Sequence, residues 1–521
     1  MHVLSAAQMR EVDHLTITAH GIAGPELMLH AAQAVEKRLE RDFPRALEGR
    51  IGIVCGGGNN GGDGLVLARL LAERHVDVLC LLCAPADRLR GDAAAALRLL
   101  PVKPVELTSA AAWTGQRAGL LGCDLIVDAL FGTGLLRPLA GWLRQLVEEL
   151  NRDYARPVLA VDIPSGLGAD GEGPVETADA AVMRATATVT FTAPKRGLYF
   201  SRYAAAVGAL TVAPIGSPEE VIAACGPHLR RTTPGDCRPF LAARPRDSHK
   251  GLYGHVLVIG GSLGKSGAVA MAATAALRTG AGLVTAAVPA SVLPLVAAAR
   301  PELMTEPLPE TATGAANFHA LSPEALDRLL HPATVLAVGP GLSQDPEAAA
   351  LARHLIQHSK LPCVLDADGL NAFDGHLAEL RPAHGVLTPH PGEMARLFGT
   401  STADVQSRRL YYASRLAAET GAVAVLKGQF SLIADPSGNA FVNPTGNPGM
   451  ATGGAGDVLT GVVAGLLAQF PAAPALELVA AAVYLHGRAG DAAAARTGEM
   501  GLLAGDITAA LPAAIMETRS R

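Results

Sequence analysis

A glycine-rich segment at residues 56–64 combines a flexible backbone with polar side chains that could bind a ligand. It reads GGGNNGGDG and lies between an apolar strand predicted over Arg50–Cys55 and a helix predicted over residues 65–74. Glycine lets a backbone approach a bound group closely, and the unpaired N–H groups at a helix N-terminus attract phosphate. A tight turn capped by Asn or Asp would need fewer polar residues than this segment has. We therefore expect a ligand site in this segment, with Asn59, Asn60 and Asp63 as its polar side chains.

A second glycine-rich segment, residues 447–461, reads NPGMATGGAGDVLTG and runs into an apolar helix. The backbone amides of such a segment can form an anion hole. Asp457 falls in the first turn of the helix, where it could take a proton from a hydroxyl group held beside the anion. The alternative interpretation is that Asp457 only caps the helix. The intact G-G-x-G-D pattern favours a general base for phosphoryl transfer, with Gly456 in the anion hole.

Two more predicted strands end in polar residues. Asp128 ends the strand in LIVDALFGTGL, and Asp162 and Ser165 follow the strand in VLAVDIPSG. Ligands in open parallel sheets bind beyond the carboxyl ends of the strands, so these residues and residues 56–64 predict one crevice. Their oxygen atoms suit a cation that lies beside a phosphate-rich substrate. The alternative for each aspartate is a capping role.

The elements that must position these residues alternate between apolar strands and helical patterns, which predicts an α/β fold. Continuous apolar strands indicate parallel sheets that are covered on both faces. Between about residues 216 and 246 the alternation stops and prolines accumulate. We therefore predict two domains, residues 1–215 and 241–515, joined by a linker at residues 216–240. Each domain is expected to be a mostly parallel sheet with helices on both faces.

The composition excludes several classes of protein. The 521 residues carry a net charge of −5, which provides no basic excess for binding the backbone of a nucleic acid. Hydrophobic residues make up 49% and charged residues 17%, so large cores are possible and disorder is not expected. Cys80 and Cys83 lie in an apolar run and are expected to be buried strand cysteines. No signal peptide is recognisable, and glycine and prolines interrupt the uncharged residues 279–299, so we expect a cytoplasmic protein.

The segments GGGNNGGDG, VDALFGTGL, VDIPSG and FTAPKRG together resemble the NAD(P)H-hydrate epimerase family, across about residues 1–215. The resemblance implies that a Rossmann-like domain interconverts the R and S hydrates of NADH and NADPH. It places a potassium ion on Asn60, Asp128 and Ser165. It also places the substrate against Asp162 and two loops, which comprise Asn59, Asn60, Gly61, Gly62, Asp63, Gly132, Thr133, Gly134, Leu135, Leu136, Arg137 and Pro138.

Epimerisation at a carbon that bears a hydroxyl group and a ring nitrogen can proceed by ring opening or through an iminium ion. Each route needs a proton acceptor. Asp63 and Asp162 are the candidate catalytic residues, and the sequence does not choose between them. Lys195, in APKRG, is either a phosphate contact or a solvated lysine.

The second half of the chain contains KGLYGHVLVIGGS, GAGLVT, VGPGL, LDADGLNAF, LTPHPGEMARL and VLKGQFSLI, in this order. With the G-G-x-G-D segment they resemble the ribokinase-like fold and, more narrowly, the ADP/ATP-dependent NAD(P)H-hydrate dehydratase family, over about residues 240–510. Ala455 stands where this family often has threonine, which keeps the backbone amide and removes a hydroxyl group. The resemblance implies that ADP or ATP phosphorylates the hydroxyl group of the S hydrate. Phosphate then leaves, which restores NADH or NADPH.

By the same resemblance, the hydrate site consists of Ala268, Gly341, His390 and Asp457. The nucleotide is expected on Lys427, Gly428, Gln429, Phe430, Ser431 and Gly456. The alternatives are a structurally satisfied loop histidine at His390 and an exposed strand-end lysine at Lys427. Magnesium is expected with the nucleotide, but Asp366, Asp368 and Glu393 are not assigned as its ligands.

We therefore predict a bifunctional nicotinamide-nucleotide repair enzyme, an isomerase and a lyase in one chain, that uses K⁺, Mg²⁺ and ADP or ATP. The expected partners are the hydrates NADHX and NADPHX, with no nucleic acid and no membrane, and the chain is expected to form a homo-oligomer. One alternative is a small-molecule kinase with an accessory domain, which leaves residues 56–64 unexplained. The other is an N-terminal half that only binds or scaffolds, which does not explain its polar loop residues. The sequence leaves open whether ADP or ATP is the donor and which hydrate is preferred.

Overall fold

The computed structural model describes residues 1–520. The chain divides into two compact units, His2–Pro227 and, together with Met1, the residues from His228 onward. The segment expected to be a linker, residues 216–240, contains two short helices and a three-residue strand. The division falls within it, after Pro227, so its two parts belong to different units.

The first unit contains seven strands and eight α-helices. The strands are β1 (Arg50–Cys55), β2 (Asp77–Leu82), β3 (Val105–Glu106), β4 (Leu125–Ala129), β5 (Val158–Val161), β6 (Ala187–Phe191) and β7 (Ala209–Ala213). The helices are α1 (Ala6–Thr18), α2 (Gly24–Asp42), α3 (Asn59–Glu73), α4 (Gly91–Arg98), α5 (Ala110–Leu121), α6 (Gly141–Asp153), α7 (Gly197–Phe200) and α8 (Glu219–Ala224).

All seven strands are parallel, in the order β3-β2-β1-β4-β5-β6-β7. Successive strand residues point to opposite faces of the sheet, and here both faces are apolar. Ile53 belongs to a core with α2, α3 and α4, whereas Val54 belongs to a core with α5 and α6. The strand order reverses between β1 and β4, and such a switch point opens a crevice at the carboxyl ends of the strands.

The N-terminal residues of the first unit form hydrogen bonds with the segment that follows β6. The backbone N–H of Leu4 donates to the Pro194 carbonyl at 2.9 Å, and the Arg196 N–H donates to the Leu4 carbonyl at 3.0 Å. Leu4 is fully buried. Ser5 then caps α1, and its hydroxyl accepts from the N–H of Gln8 while the Gln8 side chain accepts from the Ser5 N–H. This pairing holds α1 next to the residues that follow β6.

The second unit contains ten strands and twelve α-helices. The strands are β8 (Leu229–Arg231), β9 (His255–Ile259), β10 (Leu283–Pro289), β11 (Met304–Leu308), β12 (Val335–Val338), β13 (Cys363–Leu365), β14 (Gly385–Leu387), β15 (Val423–Leu426), β16 (Leu432–Ala434) and β17 (Ala440–Val442). The helices are α9 (Pro234–Cys237), α10 (Ser266–Thr279), α11 (Leu293–Ala297), α12 (Pro323–Leu330), α13 (Pro346–His358), α14 (Asp368–Asn371), α15 (Pro391–Leu397), α16 (Thr402–Ser407), α17 (Arg409–Thr420), α18 (Ala455–Gln469), α19 (Ala475–Thr497) and α20 (Ala504–Ser520).

The sheet of the second unit has the order β11-β10-β9-β12-β13-β14-β15-β16-β17-β8. Its strands are parallel except for the antiparallel pairs β15–β16 and β16–β17. Val256 and Val258 of β9 belong to a core with α10, α18, α19 and α20. The alternate residues Leu257 and Ile259 are also buried, so the strand is apolar on both faces.

The predicted fold class is confirmed: the chain is α/β, with one parallel sheet and one mostly parallel sheet. One difference concerns α3, which begins at Asn59 and not at Leu65. Glycine is a poor helix former, so the segment looked like a loop. The structure requires glycine there for packing, because a Cβ on Gly61 would lie 1.9 Å from the Gly56 carbonyl oxygen and one on Gly64 2.6 Å from the Ala129 Cβ.

No helix within residues 1–520 is long and apolar enough to cross a membrane. The uncharged residues 279–299 form β10, a turn and α11. Cys80 is buried in β2 and Cys83 lies just beyond it, half-buried, and neither is in a disulfide.

Candidate functional site

A cavity of about 490 Å³ lies at the carboxyl ends of the strands in the first unit. It lies beside the switch point between β1 and β4, where the sequence predicts a crevice. Eight of the predicted substrate contacts line it: Asn59, Asn60, Asp63, Gly132, Thr133, Gly134, Leu135 and Asp162.

Five predicted substrate contacts do not line this cavity: Gly61, Gly62, Leu136, Arg137 and Pro138. Gly61 and Gly62 are buried inside the unit. A Cβ on Gly62 would lie 2.5 Å from the Met28 Cε, so this glycine allows α3 to pack on α2. Leu136 is 74% exposed. The geometry therefore gives the two glycines a packing role.

Asp162 forms a buried ion pair with Lys195. Lys195 Nζ donates to Asp162 Oδ1 at 2.5 Å, to Thr190 Oγ1 at 3.0 Å and to the Phe191 carbonyl at 2.9 Å. An ammonium group has three N–H donors, so all of them are used. Asp162 also adopts a left-handed backbone conformation, with φ of 64°, which turns the chain at the end of β5. Lys195 is only 1% exposed. It is therefore neither the solvated lysine nor the phosphate contact that the sequence left as alternatives.

Three further carboxyl groups line the same cavity, those of Asp13, Asp63 and Asp92. Burial raises the pKa of Asp63 well above its usual range, and the charges of Asp162 and Asp13 raise it further. Burial also raises the pKa of Asp13 to about 6, an effect that Lys195 opposes and Asp162 increases. The sequence analysis missed Asp13. Its signal was an acidic residue directly after Val12, on the edge of the apolar stripe of α1.

The expected potassium ligands Asp128 and Ser165 both accept hydrogen bonds from the loop that follows β4. Asp128 is fully buried and accepts from the Ser165 N–H at 2.8 Å and from the Ser165 hydroxyl at 2.6 Å. Burial raises its pKa, and the bonds from Ser165 oppose that effect. Within residues 1–520 no lysine or arginine pairs with Asp128. Asn60 has both side-chain polar atoms buried without a hydrogen-bond partner. Unsatisfied amide atoms and an uncompensated carboxylate fit an oxygen-ligated cation.

In the second unit, Asp457 lies in the first turn of α18 and Lys427 lies directly after β15. Lys427 Nζ donates to Asp366 Oδ1 at 2.6 Å, and the Thr460 hydroxyl donates to Asp366 Oδ2 at 2.7 Å. A Cβ on Gly456 would lie 3.4 Å from Lys427 Nζ, so the helix N-terminus and the ammonium group are adjacent. Both attract an anion at the same point.

Burial, together with the charge of Asp366, raises the pKa of Asp457 to about 7, and the charge of Lys427 opposes this rise. A base with a pKa near neutrality is well matched to proton abstraction at neutral pH. Burial alone would lower the pKa of Lys427, but the charges of Asp366 and Glu393 outweigh burial and raise it. Lys427 is therefore a cation in this site, and it is not the exposed strand-end lysine considered as an alternative.

His390 caps α15. Its Nδ1 accepts from the N–H groups of Gly392 at 3.0 Å and Glu393 at 3.3 Å, and the Glu393 carboxylate accepts from the His390 N–H at 2.7 Å. His390 is therefore a hydrogen-bonded loop histidine, which the sequence offered as the alternative to a ligand contact. The ring is still about half exposed and can contact a ligand through its open face. Burial and the charge of Lys427 lower its pKa, which keeps the ring neutral.

The remaining predicted contacts of the second unit fall into two groups. Gly341 and Ala268 are neighbours, since a Cβ on Gly341 would lie 3.1 Å from the Ala268 Cβ. The segment 428–431 bends sharply, with φ of 134° at Gly428 and 51° at Phe430. The guanidinium group of Arg409 donates to the carbonyls of Gln429 and Phe430. Arg409 is buried and was missed by the sequence analysis, because nothing in the pattern of α17 relates it to this segment.

The acidic residues near Asp457 are already engaged with protein groups. Asp366 binds Lys427 and Thr460, Glu393 binds His390, and Asp368 accepts from Lys265 Nζ at 3.1 Å. No group of three or more His, Cys, Asp or Glu residues within residues 1–520 is placed to hold a metal ion.

Both units match known families. Residues 256–513 match the family model described as NAD(P)H-hydrate dehydratase, and residues 24–197 match the model described as YjeF-related protein N-terminus. The first match includes Asp457 and places the second unit in the class of NAD(P)H-hydrate dehydratases.

The chain is 45% identical over 523 residues to the bifunctional NAD(P)H-hydrate repair enzyme Nnr of Moorella thermoacetica, covering 98% of this chain and 96% of that one. It is 36% identical to the Escherichia coli enzyme of the same name, covering 94% of this chain and 89% of that one. The crystal structure of the ADP/ATP-dependent NAD(P)H-hydrate dehydratase of Bacillus subtilis, co-crystallised with ATP and Mg²⁺, is 30% identical, with a TM-score of 0.47, and covers 56% of this chain and 98% of that one. The chain belongs to the family of bifunctional NAD(P)H-hydrate repair enzymes, and the predicted resemblance is confirmed.

Proposed function

We propose that the first unit epimerises the R and S hydrates of NADH and NADPH and that the second unit dehydrates the S hydrate with ADP or ATP. The observation that carries the proposal is the position of Asp457, on a glycine-rich helix N-terminus beside Lys427. A carboxylate of near-neutral pKa next to an anion hole is suited to phosphorylating a hydroxyl group.

In the second unit, Asp457 takes the proton of the substrate hydroxyl as its oxygen attacks the terminal phosphorus of the nucleotide. The backbone amides around Gly456 and the ammonium group of Lys427 stabilise the charge on the phosphoryl oxygens. The products are AMP from ADP, or ADP from ATP, and a phosphorylated hydrate. The bond between carbon and the phosphate oxygen then breaks as the ring nitrogen donates electrons, and a proton leaves the adjacent carbon. Phosphate is a far better leaving group than hydroxide, which explains the use of a nucleotide.

The nucleotide is proposed to lie on the bent segment that follows Lys427. Gly428 and Phe430 have left-handed backbone conformations there, and the guanidinium group of Arg409 donates hydrogen bonds to two carbonyls of the segment. Arg409 thus fixes a backbone turn whose N–H groups and Ser431 hydroxyl can meet a phosphate or a ribose. Ala268, Gly341 and His390 are the proposed contacts of the hydrate.

In the first unit, the hydrate is proposed to enter the cavity lined by Asp63 and Asp162. A carboxyl group of the cavity takes the hydroxyl proton, while the ring opens or an iminium ion forms. Asp162 is held by Lys195, and its second oxygen, Oδ2, lies beside Gly132. Only one epimer presents its hydroxyl group correctly to Asp457, so the epimerase makes the whole pool of hydrate available to the dehydratase.

The proposal also covers the bound ions, the cellular location and the partners of the protein. Asn60, Asp128 and Ser165 would hold potassium, which would supply positive charge beside the pyrophosphate of the substrate. Magnesium would accompany the nucleotide phosphates. The net charge of −5 provides no basic excess for nucleic acid partners, and the cytoplasmic location and the homo-oligomer stay predictions.

A repair assay tests the proposal. Purified full-length protein is mixed with R and S hydrates of NADH or NADPH and with ADP or ATP, and the return of reduced-nicotinamide absorbance is followed. Fast and complete repair that requires nucleotide is the expected result. If nucleotide is consumed without any return of absorbance, the chain is an ordinary kinase. If repair stops when the S epimer is used up, the first unit is not an epimerase.

A further inference from the structure

Three carboxyl groups that line the cavity of the first unit have no hydrogen-bond partner within residues 1–520, those of Asp13, Asp63 and Asp92. Asp13 on α1 and Asp63 on α3 are half-buried, and burial raises the pKa of both. Polar groups that are shielded from water are nearly always paired, so unpaired ones that face a cavity are expected to bond what enters it.

The buried lysine of the cavity is not available to these carboxyl groups. The three hydrogens of Lys195 Nζ go to Asp162, Thr190 and the Phe191 carbonyl. Lys195 therefore balances the charge of Asp162. Two like charges held close together in a buried site are costly, so ionisation of one of the remaining carboxyl groups opposes ionisation of a neighbouring one.

We propose that Asp13 and Asp63 are the acid–base pair of the epimerase and share one proton. This inference rests on the proposed epimerase function of the cavity. The protonated carboxyl group donates to the ring nitrogen as the bond between carbon and nitrogen breaks, and the ionised group takes the hydroxyl proton as the carbon becomes an aldehyde. Rotation of the aldehyde and the two reverse transfers close the ring on its other face. Atoms and protons balance, and no co-reactant is required.

The electrostatics of the cavity assign the two roles. The charged groups that line it around Asp13 are Arg10, Asp63, Asp92, Asp162 and Lys195. Burial raises the pKa of Asp13 to about 6, so this group is mostly ionised at neutral pH. Burial raises the pKa of Asp63 well above its usual range, so Asp63 is the member of the pair to which we assign the proton. Asp13 is thus the acceptor in the resting site and Asp63 the donor, while the two pKa values belong to the pair.

The test compares Asp13→Asn with Glu11→Gln in the full-length protein. Asparagine keeps the size of the side chain and cannot accept the proton, so kcat for epimerisation should fall by about a hundredfold or more while KM changes little. Glu11 is exposed on the same helix and does not line the cavity, so its variant should match the wild type. Epimers are separated by chromatography without nucleotide, and dehydration of pure S hydrate with ADP is measured on the same samples.

The pH profile provides a second readout that does not depend on the stability of the variant. In the wild type, kcat/KM for epimerisation should rise through about pH 6, and Asp13→Glu should keep part of the activity with this limb displaced. An Asp13→Asn protein within about threefold of wild type, or one that retains the limb, would overturn the inference. A wild type without epimerisation would instead refute the proposed function of the cavity.

Discussion

Lys195 and Lys427 each follow a strand of a parallel sheet and each bond an aspartate at another strand end, at 2.5 and 2.6 Å. They differ in what else they can reach. Lys195 is 1% exposed and uses all three hydrogens on protein acceptors, whereas the Lys427 side chain is 17% exposed and lies beside the α18 N-terminus. The same pair of residue types thus has all its donors satisfied within the protein in one site, whereas in the other its lysine is open to the phosphate that we propose binds there.

In both sites the aspartate that bonds the lysine is accompanied by a second carboxyl group of raised pKa. Asp457 has a pKa of about 7 beside Lys427 and Asp366, and Asp13 has a pKa of about 6 beside Lys195 and Asp162. Burial is the main cause in each. In the proposed reactions a lysine–aspartate pair therefore sets the charge of each site, while a separate carboxyl group moves the proton.

The largest effect is expected from Asp457→Asn. The amide keeps the packing of α18 but cannot take the hydroxyl proton, so nucleotide-dependent repair of the S hydrate should fall by about 10²–10⁴ in kcat. Epimerisation in the first unit should not change. Glu477→Gln, another acidic residue in the first turn of a helix, is the matched control. A loss below about tenfold would show that Asp457 is not the base.

Lys195→Met tests whether the first pair is structural. Removing the lysine leaves Asp162 buried with the Thr190 bond alone, so the free energy of unfolding of the first unit should fall by about 3–5 kcal/mol. Lys427→Met should reduce the affinity for ADP instead, because that lysine faces the anion site. Chemical denaturation and ADP titration of both variants separate the two outcomes. If Lys195→Met is as stable as the wild type, the pair of Lys195 and Asp162 is not a structural one.

The first unit should depend on potassium, whereas the lysine of the second site already supplies a cation. Asp128→Asn removes the only formal charge among the proposed ligands and should weaken potassium activation of epimerisation by about 10–100-fold. Replacing potassium with a bulky organic cation should have the same effect on the wild type. Asp77→Asn, at the opposite end of a strand, is the control. Equal epimerase rates under all these conditions would make Asp128 and Ser165 a structural cap.

The smallest effect concerns the pH dependence of the second site. Asp457 must be ionised to act, so dehydratase kcat/KM should rise through about pH 7. Asp368 raises the pKa of Asp457, so Asp368→Asn should shift this rise to lower pH by about half a unit. Asp374→Asn, on the surface shortly after α14, should leave it in place. A shift to higher pH would contradict the assigned electrostatics.

Local patterns predicted the strands and the position of Asp457 well. The strand Arg50–Cys55 and the first turn of α18 have a continuous apolar run or a glycine segment that defines them without reference to distant residues. The three-residue strands β16 and β17 were not recognised, because so short an antiparallel hairpin shows no alternation of polar and apolar residues.

Asp13 and Arg409 could not be found from the sequence for a different reason. Each acts at a site that is built from residues far away in the chain, and its role depends on how its helix packs. For Gly61 and Gly62 a motif suggested ligand contacts, and the structure adds a packing role that the motif did not show: a Cβ would meet the Gly56 carbonyl at Gly61 and the Met28 side chain at Gly62. Residue types predicted the chemistry, and only tertiary contacts distinguished the groups that face the cavity from those that support it.

The pairing of Leu4 with residues 194 and 196 bears on how this protein can be divided by engineering or by evolution. The family match of the first unit starts at residue 24, after α1. A truncated protein cut at that boundary would keep all seven strands and lose the helix that carries Asp13. Such a fragment should lose epimerisation together with Asp13, so under the proposed role of Asp13 the functional module starts before the family match.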